Sequence, residues 1–259
     1  MKYLFMVIIT IMTGFMSAHA ELRTEVVEYK HGDVLLEGYL AYDDAVKQKR
    51  PGVLVVHEWW GLNDYIKKRT DNLAKLGYIA FAIDMYGKGI RTKESQRAGE
   101  LANIYLKDRQ LMRARVNAGL EILKKNNLAD NKRLAAIGYC FGGTTVLELA
   151  RSGADVAGVV SFHGGLTTLN PADTKNIKAK VLVLHGADDP FISKEQISDF
   201  QDEMRKAGAD WQMVFYGGAE HSFTNPEADG YVIKGVAYNE KADKRSWEAM
   251  RAFFLEIFR

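Results

Sequence analysis

The sequence predicts an α/β fold in which a mostly parallel central sheet is flanked by helices. Short apolar runs alternate along the chain with longer segments of helical periodicity. The runs lack the strict apolar–polar alternation of half-exposed strands, and strands that are covered on both faces have this composition. The 259 residues contain only four prolines and no linker-like tract. We therefore expect one α/β domain over residues 21–259.

The N-terminal elements differ from those that follow. Residues 23–30 and 33–40 alternate apolar and polar side chains around a His-Gly turn, which predicts an antiparallel hairpin at one edge of the sheet. The apolar runs predict further strands at 52–57, 78–84, 133–139, 156–163, 180–186 and 211–217. Apolar side chains at helical spacing predict helices at 64–76, 94–127, 143–152, 193–207 and 241–257.

The first 20 residues have the pattern of a secretory signal peptide. Lys2 precedes an apolar stretch, and the segment ends on Ala-His-Ala, an A-x-A cleavage pattern. The apolar stretch is short for a membrane span, so we expect cleavage after Ala20 and export to the periplasm or medium rather than a retained anchor. The formal net charge of +2 predicts neither nucleic acid nor an anionic membrane as a partner.

The only cysteine, Cys140, lies in the segment GYCFG, residues 138–142. One thiol cannot form an internal disulfide, and a buried structural cysteine is the common alternative. The segment has the G-x-C-x-G pattern of a nucleophile elbow between a strand and a helix, with cysteine in the serine position. The helix N-terminus favours a thiolate there. The glycine spacing differs from that of a dinucleotide loop, so we predict that Cys140 is a nucleophile.

A thiol nucleophile needs a base, and the base needs an orienting carboxylate. Asp188 and Asp189 follow the predicted strand at 180–186, and His221 follows the last predicted strand. The order nucleophile, acid, histidine is that of α/β-hydrolases. Other histidines end predicted strands, where a neutral imidazole bonded to backbone groups is usual: His57, His163 and His185.

Together, these segments resemble the dienelactone hydrolase family of the α/β-hydrolases. GYCFGG, HEWWGLN, DMYGKG, HGADDPF and EHSF occur in the family's order and spacing, and the resemblance covers almost all of residues 22–259. It implies an α/β-hydrolase fold and hydrolysis of a lactone or carboxylic ester. It also implies Cys140 as the nucleophile, His221 as the base and Asp189 as the acid, with Asp188 as the alternative acid.

The resemblance implies roles for residues around this triad. Glu58 is expected to pair with the resting thiol and to help form the thiolate when substrate binds. The backbone N–H groups of Trp59 and Phe141 are expected to form the oxyanion hole. Three side chains are expected to line the substrate site: Tyr86, Ser222 and Trp60.

The chain also departs from the family. The resemblance implies that members acting on dienelactone hold its carboxylate with arginines, one of them four residues after the histidine. That position is Asn225 here, and Lys88 is only a loose match for a second cation. The dienelactone substrate itself is therefore in question.

The expected function is that of an exported hydrolase that forms a thioester acyl-enzyme on a lactone or ester. No metal or other cofactor is expected, because the sequence has no H-E-x-x-H motif and no clustered Cys and His. Two alternatives are a non-catalytic ligand-binding protein on a hydrolase scaffold and a redox-active thiol protein. The second alternative lacks a resolving cysteine. The sequence gives no prediction of oligomeric state.

Overall fold

The computed structural model describes residues 21–259, so the predicted signal peptide lies outside the described residues. Eight strands form one sheet. In chain order they are β1 (Leu22–His31), β2 (Val34–Asp43), β3 (Arg50–Val56), β4 (Ile79–Ile83), β5 (Ala129–Tyr139), β6 (Gly158–Phe162), β7 (Lys180–Gly186) and β8 (Trp211–Tyr216).

The strands lie in the order β1-β2-β4-β3-β5-β6-β7-β8. Strands β3 to β8 pair in parallel, whereas β2 is antiparallel to both β1 and β4. The predicted mostly parallel sheet with an antiparallel N-terminal hairpin at its edge is therefore confirmed.

Six helices flank the sheet. They are α1 (Asp64–Lys75), α2 (Ser95–Lys107), α3 (Arg109–Lys124), α4 (Phe141–Arg151), α5 (Lys194–Ala207) and α6 (Glu240–Ile257), and short 3-10 turns lie at Pro171–Asn176 and Ala228–Tyr231. Within residues 21–259, none of the helices has the length and apolar character needed to cross a bilayer.

The prediction of one helix over 94–127 is wrong, because the helical segment is interrupted at Asp108. The Asp108 backbone leaves the helical region, with φ −123° and ψ 87°, and its carboxylate accepts the N–H of Leu111. A short carboxylate side chain favours an N-cap over a helix interior. The segment therefore forms α2 and α3, and Arg109 becomes the first residue of α3.

The helices cover both faces of the sheet. Residues of α1 and α6 pack on one face, and residues of α2 to α5 pack on the other. Neighbouring β3 residues divide between the two cores, because successive strand side chains point to opposite faces: Leu54 lies in one core and Val55 in the other. This double burial explains the continuous apolar runs of the central strands.

Candidate active site

Cys140 lies on a sharp turn between β5 and α4. Its backbone has φ 54° and ψ −114°, a conformation that is strained for a residue with a side chain. The turn brings the strand and the helix so close that a Cβ on Gly138 would lie 2.0 Å from the Gly142 carbonyl oxygen. A Cβ on Gly142 would lie 2.2 Å from the carbonyl oxygen of Val56. The G-x-C-x-G spacing is thus a steric requirement of this turn.

The thiol, an imidazole and a carboxylate form a hydrogen-bonded series. Cys140 Sγ lies 3.1 Å from His221 Nε2, and His221 Nδ1 lies 2.8 Å from Asp189 Oδ2. Because an ionised carboxylate only accepts, Nδ1–H donates to Asp189 and Nε2 faces the sulfur. The Phe191 N–H donates to the other oxygen of Asp189, which fixes the carboxylate.

The alternative acid, Asp188, points elsewhere. Its carboxylate accepts the backbone N–H of Gly218 at 2.8 Å on the protein surface. The structure therefore brings Asp189, and not Asp188, to the imidazole.

The charges around His221 favour its protonated form. Burial alone would lower its pKa, but the interactions with Cys140 and Asp189 outweigh this effect and raise the pKa well above its usual value. Backbone hydrogen bonds to Gly235 and Ala237 also hold the His221 loop. This arrangement can keep a thiolate beside an imidazolium.

The two proposed oxyanion donors lie at the same place. Phe141 is the first residue of α4, so its N–H has no acceptor within the helix. Trp59 follows β3, and both residues line the cavity next to Cys140. Among the described residues, neither N–H donates to a protein acceptor. Two free N–H groups on the cavity wall could donate hydrogen bonds to an oxyanion that forms there.

A cavity of about 390 Å³ opens above the thiol. Its walls are mainly aromatic and aliphatic, so it suits an apolar ligand. The lining includes Trp59, Trp60, Phe141, Phe191, Ile192, Tyr231, Ile233 and Val236, together with Cys140, His221 and Ser222. The predicted substrate-site residues Trp60 and Ser222 thus lie on the cavity wall.

The third predicted substrate-site residue, Tyr86, does not line the cavity. Only 6% of its surface is exposed, and its hydroxyl donates to the Trp59 carbonyl oxygen at 3.0 Å. Its ring packs against His57 and Phe141, with centroids 4.8 Å and 5.7 Å away. Tyr86 therefore supports the cavity wall from behind.

Glu58 does not pair with the thiol, contrary to the expected resting state. Its two oxygens accept the Ser222 hydroxyl at 3.1 Å and the Asn225 amide at 2.7 Å, while the thiol contacts His221. Burial raises the pKa of Glu58 to about 7, although the hydrogen bonds that it accepts limit the rise. Asn225, at the position of the family's arginine, thus binds Glu58 and does not line the cavity.

The other cation that was considered, Lys88, also lies away from the cavity. Its ammonium group pairs with Glu28 and lies 3.8 Å from Glu37, both on the N-terminal hairpin. Lys88 is therefore already paired at the surface of the protein.

His163 contributes to the site in a way that its sequence position did not predict. Cys140 N–H donates to the Phe162 carbonyl at 3.0 Å and to His163 Nδ1 at 3.2 Å. His163 Nε2 then meets the Thr224 hydroxyl at 2.7 Å. Burial, together with the charge of His221, holds the pKa of His163 well below its usual value, so the ring is neutral. A histidine at the end of a neighbouring strand, next to Gly-Gly, was the only sequence signal.

His57 and His185 are buried as well, and neither lines the cavity. His57 accepts the Met85 N–H on Nε2 and contacts the Glu58 carbonyl through Nδ1. No group of three or more metal-ligating side chains occurs within residues 21–259.

The loops that carry these groups follow β5, β7 and β8, in the order thiol, carboxylate, histidine. A mostly parallel sheet with this order, and a thiol on a strand-to-helix turn, defines the protein as an α/β-hydrolase. The sequence profile of the dienelactone hydrolase family matches residues 36–258. The chain therefore belongs to the dienelactone hydrolase family and is a hydrolase, and the resemblance seen in the sequence is confirmed.

Similar proteins agree with this assignment. One similar protein of known crystal structure is a dienelactone hydrolase-like promiscuous phosphotriesterase from metagenomic libraries. Its sequence is 40% identical to this chain, and the alignment covers 92% of this chain and 99% of the phosphotriesterase, with a TM-score of 0.89. An Aquifex aeolicus protein named as a candidate carboxymethylenebutenolidase is 29% identical, covering 89% of this chain and 97% of its own. The Anabaena variabilis dienelactone hydrolase shares the fold, with a TM-score of 0.67, at 20% identity over 92% of this chain and 99% of its own.

Proposed function

We propose that the protein hydrolyses a carboxylic ester or lactone by covalent catalysis on Cys140. The observation that carries the proposal is the series from Cys140 Sγ through His221 to Asp189, with distances of 3.1 Å and 2.8 Å, at the floor of an apolar cavity. A thiolate that is held beside an imidazolium is a strong nucleophile. The apolar walls suit the acyl or aryl part of an ester.

In the first step, the Cys140 thiolate attacks the carbonyl carbon, and the oxyanion accepts hydrogen bonds from the Trp59 and Phe141 N–H groups. The bond from the carbonyl carbon to the alcohol oxygen then breaks. His221 Nε2–H gives its proton to that oxygen. The products are an alcohol, which stays tethered when the substrate is a lactone, and a thioester on Cys140.

In the second step, the neutral His221 takes a proton from water as the water oxygen attacks the thioester carbon. The carbon–sulfur bond breaks and the carboxylic acid leaves. Thiolate and imidazolium are restored together, so protons balance over the cycle. Asp189 keeps Nδ1 protonated throughout, and Nε2 therefore always faces the reacting atoms.

The names of relatives support this class of substrate. The Aquifex aeolicus protein is named for cleavage of a butenolide, which is a lactone. The metagenomic relative is described as a promiscuous phosphotriesterase, so a phosphotriester belongs in the substrate panel beside esters and lactones.

The mechanism is tested by replacing Cys140 and assaying a p-nitrophenyl ester and an enol lactone. We expect Cys140→Ala to lose at least about 10³-fold in kcat/KM for both substrates. Acid-quenched wild-type protein should carry the acyl mass on the peptide that contains Cys140. Unchanged hydrolysis by Cys140→Ala would refute the mechanism. A wild-type thiol that does not react with iodoacetamide, in a protein that binds ester without turnover, would indicate a binding protein.

The neighbouring aspartates give a matched control. Asp189→Asn leaves the imidazole without its carboxylate, so we expect kcat to fall about 10³- to 10⁴-fold, the size of this effect in other triads. Asp188→Asn removes a surface contact to Gly218 and should keep kcat within about threefold of wild type. Equal losses in the two variants would contradict the assignment of Asp189.

We also propose export, because residues 1–20 have the pattern of a cleaved signal peptide. The full chain, produced in a Gram-negative host, should yield periplasmic protein whose N-terminus is Glu21. Protein that keeps Met1 and stays in the cytoplasm would contradict this proposal.

A further inference from the structure

Arg109 is a charged side chain on the cavity wall that has no counter-ion within hydrogen-bond distance. It is 9% exposed. Among the described residues its Nε has no hydrogen-bond partner, and Nη1 contacts only the Met112 thioether, at 3.6 Å. Burial lowers the pKa of Arg109, yet a guanidinium stays charged in proteins. Buried polar groups are nearly always hydrogen-bonded, so unused donors beside a cavity indicate a ligand.

The neighbouring arginines show why Arg109 is left without a partner. Arg113 and Arg151 share Glu148, and they occupy both of its oxygens at 2.8 Å and 3.1 Å. Each also binds a second carboxylate, at 2.6 Å for Arg113 and 2.8 Å for Arg151. The carboxylates of Glu148, Asp173 and Glu203 are therefore already bound to other arginines. Nε is shielded from solvent, so a molecule in the cavity would bind the terminal nitrogens of the guanidinium.

The cavity itself favours an anion at this point. None of the described residues that line it is an aspartate or a glutamate, and Arg109 is the one lysine or arginine among them. Apart from the Cys140 thiolate of the proposed mechanism, an anion would therefore meet no like charge on the wall. The apolar surroundings strengthen a charge-assisted hydrogen bond, since water screens it less.

We propose that Arg109 is an anion-binding subsite of the substrate cavity. This inference rests on the proposed function. The substrate class is an ester or lactone whose apolar body ends in a compact oxyanion such as a carboxylate. The subsite lies at the start of α3, whereas the Asn225 amide is already used by Glu58 and Tyr231. Arg109 thus supplies an anion contact that the Asn225 amide does not.

The test compares esters that differ only in a terminal charge. Mono-p-nitrophenyl esters of dicarboxylic acids from succinate to adipate are each paired with the neutral p-nitrophenyl alkanoate of equal length. We expect Arg109→Met to lower kcat/KM about 10- to 100-fold for the best anionic ester and by less than about threefold for its neutral partner. Arg109→Lys should keep part of the selectivity. Arg97→Met, which removes an exposed arginine paired with Glu100 on α2, should change neither ester.

Equal losses on both esters, or no loss on any anionic ester, would overturn the proposal. Calorimetric titration tests binding without chemistry, using phenylbutyrate and the neutral phenylbutyramide. Wild type should bind the carboxylate more tightly than the amide, and Arg109→Met should bind the two equally. If wild type and Arg109→Met prefer phenylbutyrate over phenylbutyramide to the same extent, the proposal is also overturned. If wild type cleaves no ester but shows this Arg109-dependent binding, the proposed function fails and the subsite stands.

Discussion

At the scale of single residues, the site depends on which acceptors each polar group finds. Glu58 illustrates this, because it lies directly after β3 in a motif typical of the family, yet Ser222 and Asn225 hold its carboxylate. Those donors are 164 and 167 residues away in the chain. No local pattern could have revealed them, and the same is true of the supporting position of Tyr86.

The raised pKa of Glu58 predicts a pH-dependent cost to stability. Its carboxyl has a pKa of about 7 in the folded protein, against 4.5 as the ordinary value. The folded state therefore holds this proton more tightly than the unfolded chain, and stability from this group is lost as pH rises from about 4.5 to 7. The Glu58→Gln variant has no such titration. Its free energy of unfolding relative to wild type should therefore rise by about 3 kcal/mol, at most, between those pH values.

Urea unfolding at a series of pH values measures this difference. Asp64→Asn, which removes an exposed carboxylate at the start of α1, serves as the control for a lost surface charge. If the free energy of unfolding of Glu58→Gln relative to wild type does not change with pH, then ionisation of Glu58 does not reduce the stability of the protein.

At the scale of elements, local motifs were the most informative part of the sequence. The elbow, the hairpin and the strands were predictable, because glycine spacing and apolar periodicity act over a few residues. The break between α2 and α3 was missed, since Asp108 interrupts a helical pattern that continues on both sides. Arg109 was missed for a related reason: its unpaired state depends on which carboxylates other helices have already bound.

The tight turn at Cys140 predicts that the loss of stability on changing a glycine to alanine depends strongly on which glycine is changed. Gly138→Ala places a Cβ 2.0 Å from the Gly142 carbonyl oxygen, so strand and helix must separate. We expect a loss of about 3 kcal/mol or more in the free energy of unfolding, and a displaced thiol that lowers kcat. Gly217→Ala has no atom within 4 Å of the added carbon and should stay within about 0.5 kcal/mol. Similar unfolding curves for both variants would contradict this account of the turn.

At the scale of the whole molecule, a buried ionic network ties the helices on one face together. Arg151 is fully buried, and it joins Glu148 on its own helix to Glu203 on α5. Arg113 extends the network from α3 to the 3-10 turn at Pro171–Asn176. Such a network is most damaging when it is broken on one side, because the remaining charges stay buried.

We therefore expect Arg151→Met to lower the free energy of unfolding by about 3 to 5 kcal/mol. Arg251→Met removes the exposed i,i+3 pair with Glu248 on α6, and should cost less than about 0.5 kcal/mol. Chemical unfolding of the two variants measures the contrast. A small effect at Arg151 would mean that water or neighbouring groups compensate for the lost guanidinium.

The sheet order has a consequence for how the protein acquires reactivity. The sulfur and its imidazole partner are 81 residues apart, and the imidazole comes after the last strand. During synthesis on the ribosome, the growing polypeptide therefore carries an unassisted thiol until almost its full length has emerged. Under the proposed mechanism, Cys140 is activated only when the C-terminal segment docks, and we expect products that end before His221 to lack activity.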